Sequence, residues 1–358
     1  MEIVNTNLIN FRNFQKLSIS FSERGALIFG KNAAGKTNLL EAISYIAFGK
    51  SFRNANDKDI KRFKTDFFRI SGNFILDREQ YQYEVSYKKN HKNIKLNNNL
   101  IDKISSLYEY LKVVYLAPID IEIISGSPTH RRRFLDISIS QFSFEYIEIL
   151  RKFKKILNQR NALLKTNFQS YQKRSWDKQF SKTGAFLMNK RKDYLVRFIP
   201  ILREKYKSIT DNTEDLTIKY NPSFKVENDD IESSFEKAIH RVEQKEKEFE
   251  YSLIGPQRDD IDFYIDNKPT RQFASQGQKR SLAIAARLSQ ADMIKEEMKT
   301  YPIMIFDDVL SDLDKYRAYN IINLLKKNHQ IFIATPNVNL YNKIDLPKID
   351  MEKIDEAE

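Results

Sequence analysis

The chain of 358 residues contains no cysteine. Disulfides, thiolate metal sites and cysteine nucleophiles are therefore excluded. Its four histidines, His91, His130, His240 and His329, lie too far apart in sequence to read as a ligand cluster. No run approaches the ~18 uninterrupted apolar residues that a membrane-crossing helix requires. The opening Met1-Glu2-Ile3-Val4-Asn5 lacks a basic-then-apolar secretory pattern, so a cytoplasmic location is expected. Internal repeats and low-complexity linkers are missing too. What is left is a soluble chain long enough for one large domain or two, with ample core.

Charge is present in excess, and it is localised. The formal net charge is +12, with a pI of about 9.4. Residues 151–210 hold seventeen Lys or Arg against three acids, Asp177, Asp193 and Glu204, a net +14. The rest of the chain is close to neutral. A basic helical segment on a neutral body is the electrostatic footprint of a phosphate-backbone reader, although a generally Lys-rich composition also raises the charge.

Gly30-Lys31-Asn32-Ala33-Ala34-Gly35-Lys36-Thr37 is a complete G-x-x-x-x-G-K-[ST] phosphate loop. The apolar run Ala26–Phe29 before it reads as a buried strand, and Leu39, Leu40, Ile43, Ile46 and Ala47 recur at helical spacing after it. The two glycines allow backbone angles that a Cβ resists, so amides from Asn32 to Lys36 can turn toward phosphates. Lys36 is expected to neutralise the β and γ phosphates of ATP, and Thr37 to ligate Mg²⁺, at the positive end of the helix.

Pro302 to Phe306 is a second apolar run, ending in Asp307 and Asp308. It has the form of a Walker B strand, with Asp307 expected to hold Mg²⁺ and Asp308 to position or activate water. Further upstream, Ser275-Gln276-Gly277-Gln278-Lys279-Arg280 opens a helix carrying Leu282, Ile284, Ala285 and Leu288. Ser275 is placed to cap it, and the exposed amides form an anion site. Alone, that segment also fits an ordinary capped helix.

Around these motifs, Leu17–Phe21 and Tyr81–Tyr87 alternate as half-buried strands, and Asn97-Asn98-Asn99 supplies turn chemistry for a hairpin. From about 120 to 209 long helical patterns take over, including Phe134–Leu164 and Leu187–Tyr206. Strand character returns at Leu216–Tyr220 and Ile261–Ile265, with a charged helix over 232–249 between them.

The order of phosphate loop, signature helix, acidic strand tip and Leu310-Ser311-Asp312-Leu313-Asp314 resembles an ABC-type ATPase head, and in detail the RecF family, short relatives of the SMC-like proteins. The resemblance runs nearly end to end. It rests on Asn10-Phe11-Arg12-Asn13-Phe14, the Asn38 that extends the phosphate loop, Ser51-Phe52-Arg53, Gly126-Ser127-Pro128 with Arg131 to Asp136, Gly255 to Asp260, and Ser275 to Arg280. Gln257 replaces the expected histidine, Thr335 stands at the switch-histidine position, and 115–120 offers no lid glutamine.

The resemblance implies an α/β fold, an ABC-type P-loop ATPase head with an inserted, mainly helical basic lobe. The expected organisation is an N-terminal head part at 1–119, the lobe at 120–209 and a C-terminal head part at 210–358. Arg12 and Asn38 would join the nucleotide contacts. Two copies would sandwich two ATPs, with Ser275, Gly277 and Gln278 of one copy facing the nucleotide on Lys36 and Thr37 of the other, and Asp314 at the seam. The implied activity is a weak, DNA-stimulated ATPase of recombinational repair and replication restart, associated with the nucleoid. It would hold double-stranded or gapped DNA and cooperate with RecR and RecO mediators in loading RecA. Lys152, Lys154, Lys155, Arg160, Lys173, Arg174, Lys190, Arg191 and Lys192 are the candidate phosphate contacts, each individually also readable as a solvated helix charge. A transporter nucleotide-binding subunit fits poorly, because Gly277 lies 242 residues after Gly35. A nucleotide-gated protein scaffold with incidental DNA contact stays open.

Overall fold

Every residue is described in the structure, a computed structural model, apart from 54, 167–169, 311, 312, 314, 326–329, 337, 339–344 and 355–358. The chain divides into two compact units, Met1–Asp120 with Ile284–Glu358, and Ile121–Ala283.

In the first unit, β1 (Glu2–Phe11), β2 (Phe14–Ser20), β4 (Phe67–Leu76), β5 (Glu79–Lys88), β6 (His91–Leu96) and β7 (Asn99–Leu100) form an antiparallel sheet, ordered β2-β1-β4-β5-β6-β7. Alternation along β4 buries Phe68, Ile70 and Phe74 on one face and leaves Phe67 and Arg69 exposed on the other. The connections from β4 to β7 are two-residue turns at Asp77-Arg78, Lys89-Asn90 and Asn97-Asn98, and all six residues have positive φ. Such turns match the right-handed strand twist, and asparagine tolerates them well.

A second, parallel sheet contains β3 (Gly25–Phe29), β8 (Val113–Leu116), β12 (Ile303–Asp307), β13 (Ile331–Thr335) and β14 (Lys348–Asp350), ordered β14-β3-β13-β12-β8. β8, β12 and β13 are buried along their whole length, so they read as continuous apolar runs rather than alternating ones. Helix α1 (Lys36–Phe48) packs against β8, β12 and β13 of this sheet and β1 of the antiparallel one. One core, including Leu39, Ile43, Phe68, Ile305 and Phe332, joins the layers.

The second unit is built on α2 (Pro128–Ser140), α3 (Phe144–Leu164), α4 (Ser170–Thr210) and α5 (Ile231–Phe249), with a small antiparallel sheet of β9 (Leu216–Asn221), β10 (Asp260–Ile265) and β11 (Lys268–Pro269). The helical pattern expected over Phe134–Leu164 is broken at 141–143, where Ser143 Oγ accepts the Tyr146 amide at 3.1 Å and caps α3. Gly184 lets α4 approach its neighbours closely, since a Cβ there would stand 2.5 Å from the Phe235 ring. Around it Phe153, Phe180, Phe235 and Phe224 pack in series, with centroids 5.3, 5.1 and 4.7 Å apart, the outer pairs stacked and the middle one tilted.

The lobe expected at 120–209 therefore extends to Ala283. The reason is packing: α5 lies against α4, β9 pairs with β10, and β10 contacts α2. The boundary at 283/284 falls inside α6 (Gln276–Met298). Among the described residues, no helix is long and apolar enough to cross a membrane.

Candidate nucleotide-binding site

β3 delivers the chain to Gly30, and α1 begins at Lys36, so the phosphate loop lies between a parallel strand and a helix N-terminus. Gly35 has φ 98°, and a Cβ there would stand 2.7 Å from Asn13 Nδ2 and 2.8 Å from Phe14 Cζ, which only glycine avoids. No side chain caps α1 at Gly35, so its first amides are not claimed by a side-chain cap. Lys36 folds over the loop, its ammonium donating to the carbonyls of Gly30 and Lys31 at 2.8 Å each. Lys31, Asn32 and Ala33 are exposed, and Ala34 is half-buried.

Across from the loop, β12 ends at Asp307, a buried carboxylate 8% exposed. Thr37 Oγ1 donates to Asp307 Oδ1 at 2.9 Å, and the Tyr115 hydroxyl donates to Oδ2 at 2.7 Å. Burial pushes the Asp307 pKa up, while the Tyr115 and Thr37 hydrogen bonds and the Arg53 charge oppose that shift. A hydroxyl and a carboxylate in contact are hard oxygen donors of the kind Mg²⁺ takes, and nucleotide phosphates and water would complete its shell. Thr37 and Asp307 thus fit a magnesium site. Asp308 follows at the strand tip with φ 53°, its side chain half-buried and its amide on the Ala334 carbonyl at 3.0 Å.

Arg12, expected among the nucleotide contacts, turns elsewhere. Its guanidinium pairs with both oxygens of Glu41 at 2.8 and 2.7 Å and donates to the Asp59 carbonyl at 3.1 Å. Arg12 thus braces the buried carboxylate of α1, where Ser51 also donates to Glu41. Asn38 acts locally as well, donating to Asn13 at 2.7 Å and accepting from Arg53 at 3.3 Å. Sequence reasoning missed Glu41, Tyr115 and Glu352. The last accepts the Lys31 amide at 2.8 Å and pairs with the Lys31 ammonium at 3.1 Å. An acid on the apolar face of α1 was the available signal for Glu41. Tyr115 and Glu352 carried none.

In the second unit, Ser275 and Gln278 form a reciprocal capping box. Ser275 Oγ accepts the Gln278 amide at 3.2 Å, and Gln278 Oε1 accepts the Ser275 amide at 2.8 Å. Ser275 is exposed and Gly277 half-buried, so the start of α6 is accessible. Asp314 lies outside the described residues.

The nine basic candidates separate into two groups. Lys152, Lys154, Lys155, Arg174 and Lys192 are exposed, and Lys190 is half-buried with its ammonium over the Phe186 ring at 5.4 Å. Lys192 pairs with Asp229. Arg160, Lys173 and Arg191 are corrections, because all three are buried. Arg160 bonds Asp177 at 2.8 Å, Glu246 at 2.5 Å and Ser252 at 2.7 Å. Lys173 meets Asp177 at 2.7 Å, and Arg191 holds Asp136 at 2.9 Å and the Pro256 carbonyl at 2.6 Å. Desolvating a guanidinium is tolerable only with such partners, so these side chains fasten helices and cannot reach DNA phosphates. Removing Arg160 leaves the buried Glu246 carboxylate without its cation, while Asp177 keeps Lys173. Arg160→Ala is expected to lower unfolding stability by about 3–5 kcal/mol, read by urea denaturation, and an unchanged midpoint would refute the buried pairing.

The parallel sheet, its phosphate loop and the acidic strand tip, with a second unit inserted, define an ABC-type P-loop ATPase head. The family model described as the RecF/RecN/SMC N terminal domain matches residues 2–353. DNA replication and repair protein RecF of Natranaerobius thermophilus is 35% identical, covering 100% of this chain and 97% of its own. The Bacillus cereus RecF is 35% identical over 95% of this chain and 93% of its own. The chain belongs to the RecF family. A solved structure of the recombination mediator protein RecF with ATP superposes with a TM-score of 0.86 at 30% identity, covering 94% of this chain and 92% of that one. The Smc head bound to the C-winged helix domain of ScpA shares the fold alone, at a TM-score of 0.56 and 16% identity over 94% and 90%.

Proposed function

We propose that this chain is an ATP-dependent DNA-binding protein of recombinational repair and replication restart, active as an ATP-bridged homodimer. The observation that carries this reading is the contact of Thr37 with Asp307, which joins the phosphate loop to the acidic strand tip in one site. The relatives named for DNA replication and repair, and the one solved with ATP, support it.

Lys36 and the amides of the loop bind the triphosphate, and Asp308 orients the attacking water. Mg²⁺, held by Thr37 and Asp307, supplies neutralisation of charge on the phosphates. The exposed start of α6 contributes Ser275, Gly277 and Gln278 to the γ-phosphate of the partner copy, where a helix N-terminus suits an anion. Asp314 is assigned to the dimer seam by family resemblance. Once the γ-phosphate leaves, the contact that favoured the closed dimer is gone. A differential of about 5 kcal/mol moves such an equilibrium from mostly open to mostly closed, within reach of several charge-assisted hydrogen bonds. Turnover is weak and stimulated by DNA, and the protein works in the cytoplasm, on the nucleoid. RecR and RecO mediators, and RecA loading on gapped DNA, complete the proposal.

Ser275→Arg places a long cation at the helix start. ATP binding is expected to persist with ATP-dependent dimerisation lost, as followed by equilibrium binding and light scattering, and a variant that still pairs refutes the role of Ser275 across the seam. For DNA, exposed Lys152, Lys154 and Lys155 on α3 are the primary phosphate contacts, backed by Arg174, Lys190 and Lys192. Reversing the first three to Glu is expected to weaken duplex retention with ATP about tenfold or more and to flatten its salt dependence by roughly three units of slope. Equal retention at low and high salt in the unaltered protein would remove the DNA reading.

A further inference from the structure

We propose that Tyr115 is a positioning residue for the magnesium site, its hydroxyl fixing the Asp307 carboxylate so that one oxygen stays turned to Thr37. The inference rests on the ATPase reading above and extends it to a residue outside the phosphate-loop and strand-tip motifs.

Asp307 has two oxygens, and each meets one neutral hydroxyl donor, Thr37 on Oδ1 at 2.9 Å and Tyr115 on Oδ2 at 2.7 Å. The two donors together fix the plane of the carboxylate. At 8% exposure, little water is available to replace a lost donor. Tyr115 is itself held on several sides. It lies in β8 opposite Ile305 of β12, so the sheet register sets its height against Asp307. Its ring stacks on Phe52 at 3.6 Å with an interplanar angle of 29°. Phe52 sits between Ser51, which bonds Glu41 of α1, and Arg53, which bonds Asn38 beside the phosphate loop. The phenol is thus located by the central sheet and by the helix that carries the loop.

A group that orients a metal ligand alters metal affinity by roughly 10- to 100-fold when removed. Tyr115→Phe keeps the ring and the stack and deletes only the hydroxyl. The full-length protein and this variant are compared for Mn²⁺ binding by electron paramagnetic resonance with a non-hydrolysable ATP analogue, for the Mg²⁺ dependence of ATP turnover, and for binding of a fluorescent ATP analogue in EDTA. The expected result is Mn²⁺ affinity about tenfold weaker, a matching rise in the Mg²⁺ needed for half-maximal turnover, and near-normal turnover at saturating Mg²⁺. Metal-free nucleotide binding stays where it was, and the thermal midpoint falls by only a few degrees. Phe52→Leu, which keeps the hydroxyl but loosens its seat, is expected to shift Mn²⁺ affinity in the same direction by less. Unchanged Mn²⁺ affinity in Tyr115→Phe overturns the inference, as does a variant whose only defect is a lowered thermal midpoint. Absence of any metal-dependent nucleotide binding in the unaltered protein overturns the ATPase reading and this inference with it.

Discussion

Lys36→Ala is expected to cut ATP turnover by on the order of 10³-fold and to abolish nucleotide-dependent dimerisation, with little change in the fold. The Lys36 ammonium folds onto the phosphate loop, on the carbonyls of Gly30 and Lys31 at 2.8 Å each. In the proposed ATP complex those contacts are exchanged for phosphate oxygens, and charge-assisted hydrogen bonds of this kind contribute about 1.5–3 kcal/mol apiece. Two of them correspond to roughly 10²- to 10⁴-fold in rate or affinity. Equilibrium binding of a fluorescent ATP analogue, together with phosphate release, reads the effect. A variant that binds and hydrolyses ATP normally would remove Lys36 from the site.

The second large effect separates binding from hydrolysis. Asp308→Asn is expected to leave ATP binding and dimerisation intact while slowing hydrolysis by about 10²- to 10⁴-fold, the usual contribution of a positioned acid or base. Its carboxylate follows Asp307 at the strand tip, and the φ of 53° at Asp308 turns the chain just where the strand ends. The amide that replaces it keeps shape and loses basicity. Dimers formed by this variant should persist on DNA long after the unaltered protein has dissociated. Normal turnover would exclude Asp308 from the chemistry.

The phosphate loop was legible because its chemistry is local. Four residues between two glycines, an apolar strand before and a helix after leave few other structures, and β3, the loop and α1 follow that reading. The Asn97-Asn98 turn was legible for the same reason. Side-chain partners across long sequence distances were not. Glu41 lies 29 residues from Arg12, and Asp307 lies 192 from Tyr115. Nothing in either segment alone indicates that they meet.

The basic lobe teaches a different lesson. Counting charge over 151–210 treats every lysine and arginine as solvated, yet Arg160 and Arg191 fall on the buried stripes of their helices. In α3 the buried residues include Phe153, Ile156, Arg160 and Leu164, an i, i+3, i+7, i+11 series with arginine at a core position. In α4, Arg191 lies on a stripe with Leu187, Tyr194 and Phe198. Helical periodicity therefore held the signal that net charge concealed. The acids that neutralise them, Asp136, Asp177, Glu246 and Asp259, come from inside and outside the counted segment. The candidates left outside the core are fewer than the sum suggested and are shared between α3 and α4.

Sedimentation velocity of the full-length chain, with Mg²⁺ and either a non-hydrolysable ATP analogue or ADP, addresses the proposed sharing of each nucleotide between two copies most directly. A concentration-dependent dimer with the analogue and a monomer with ADP is the predicted pattern. A single subunit at every concentration, while saturated with the analogue, would contradict it.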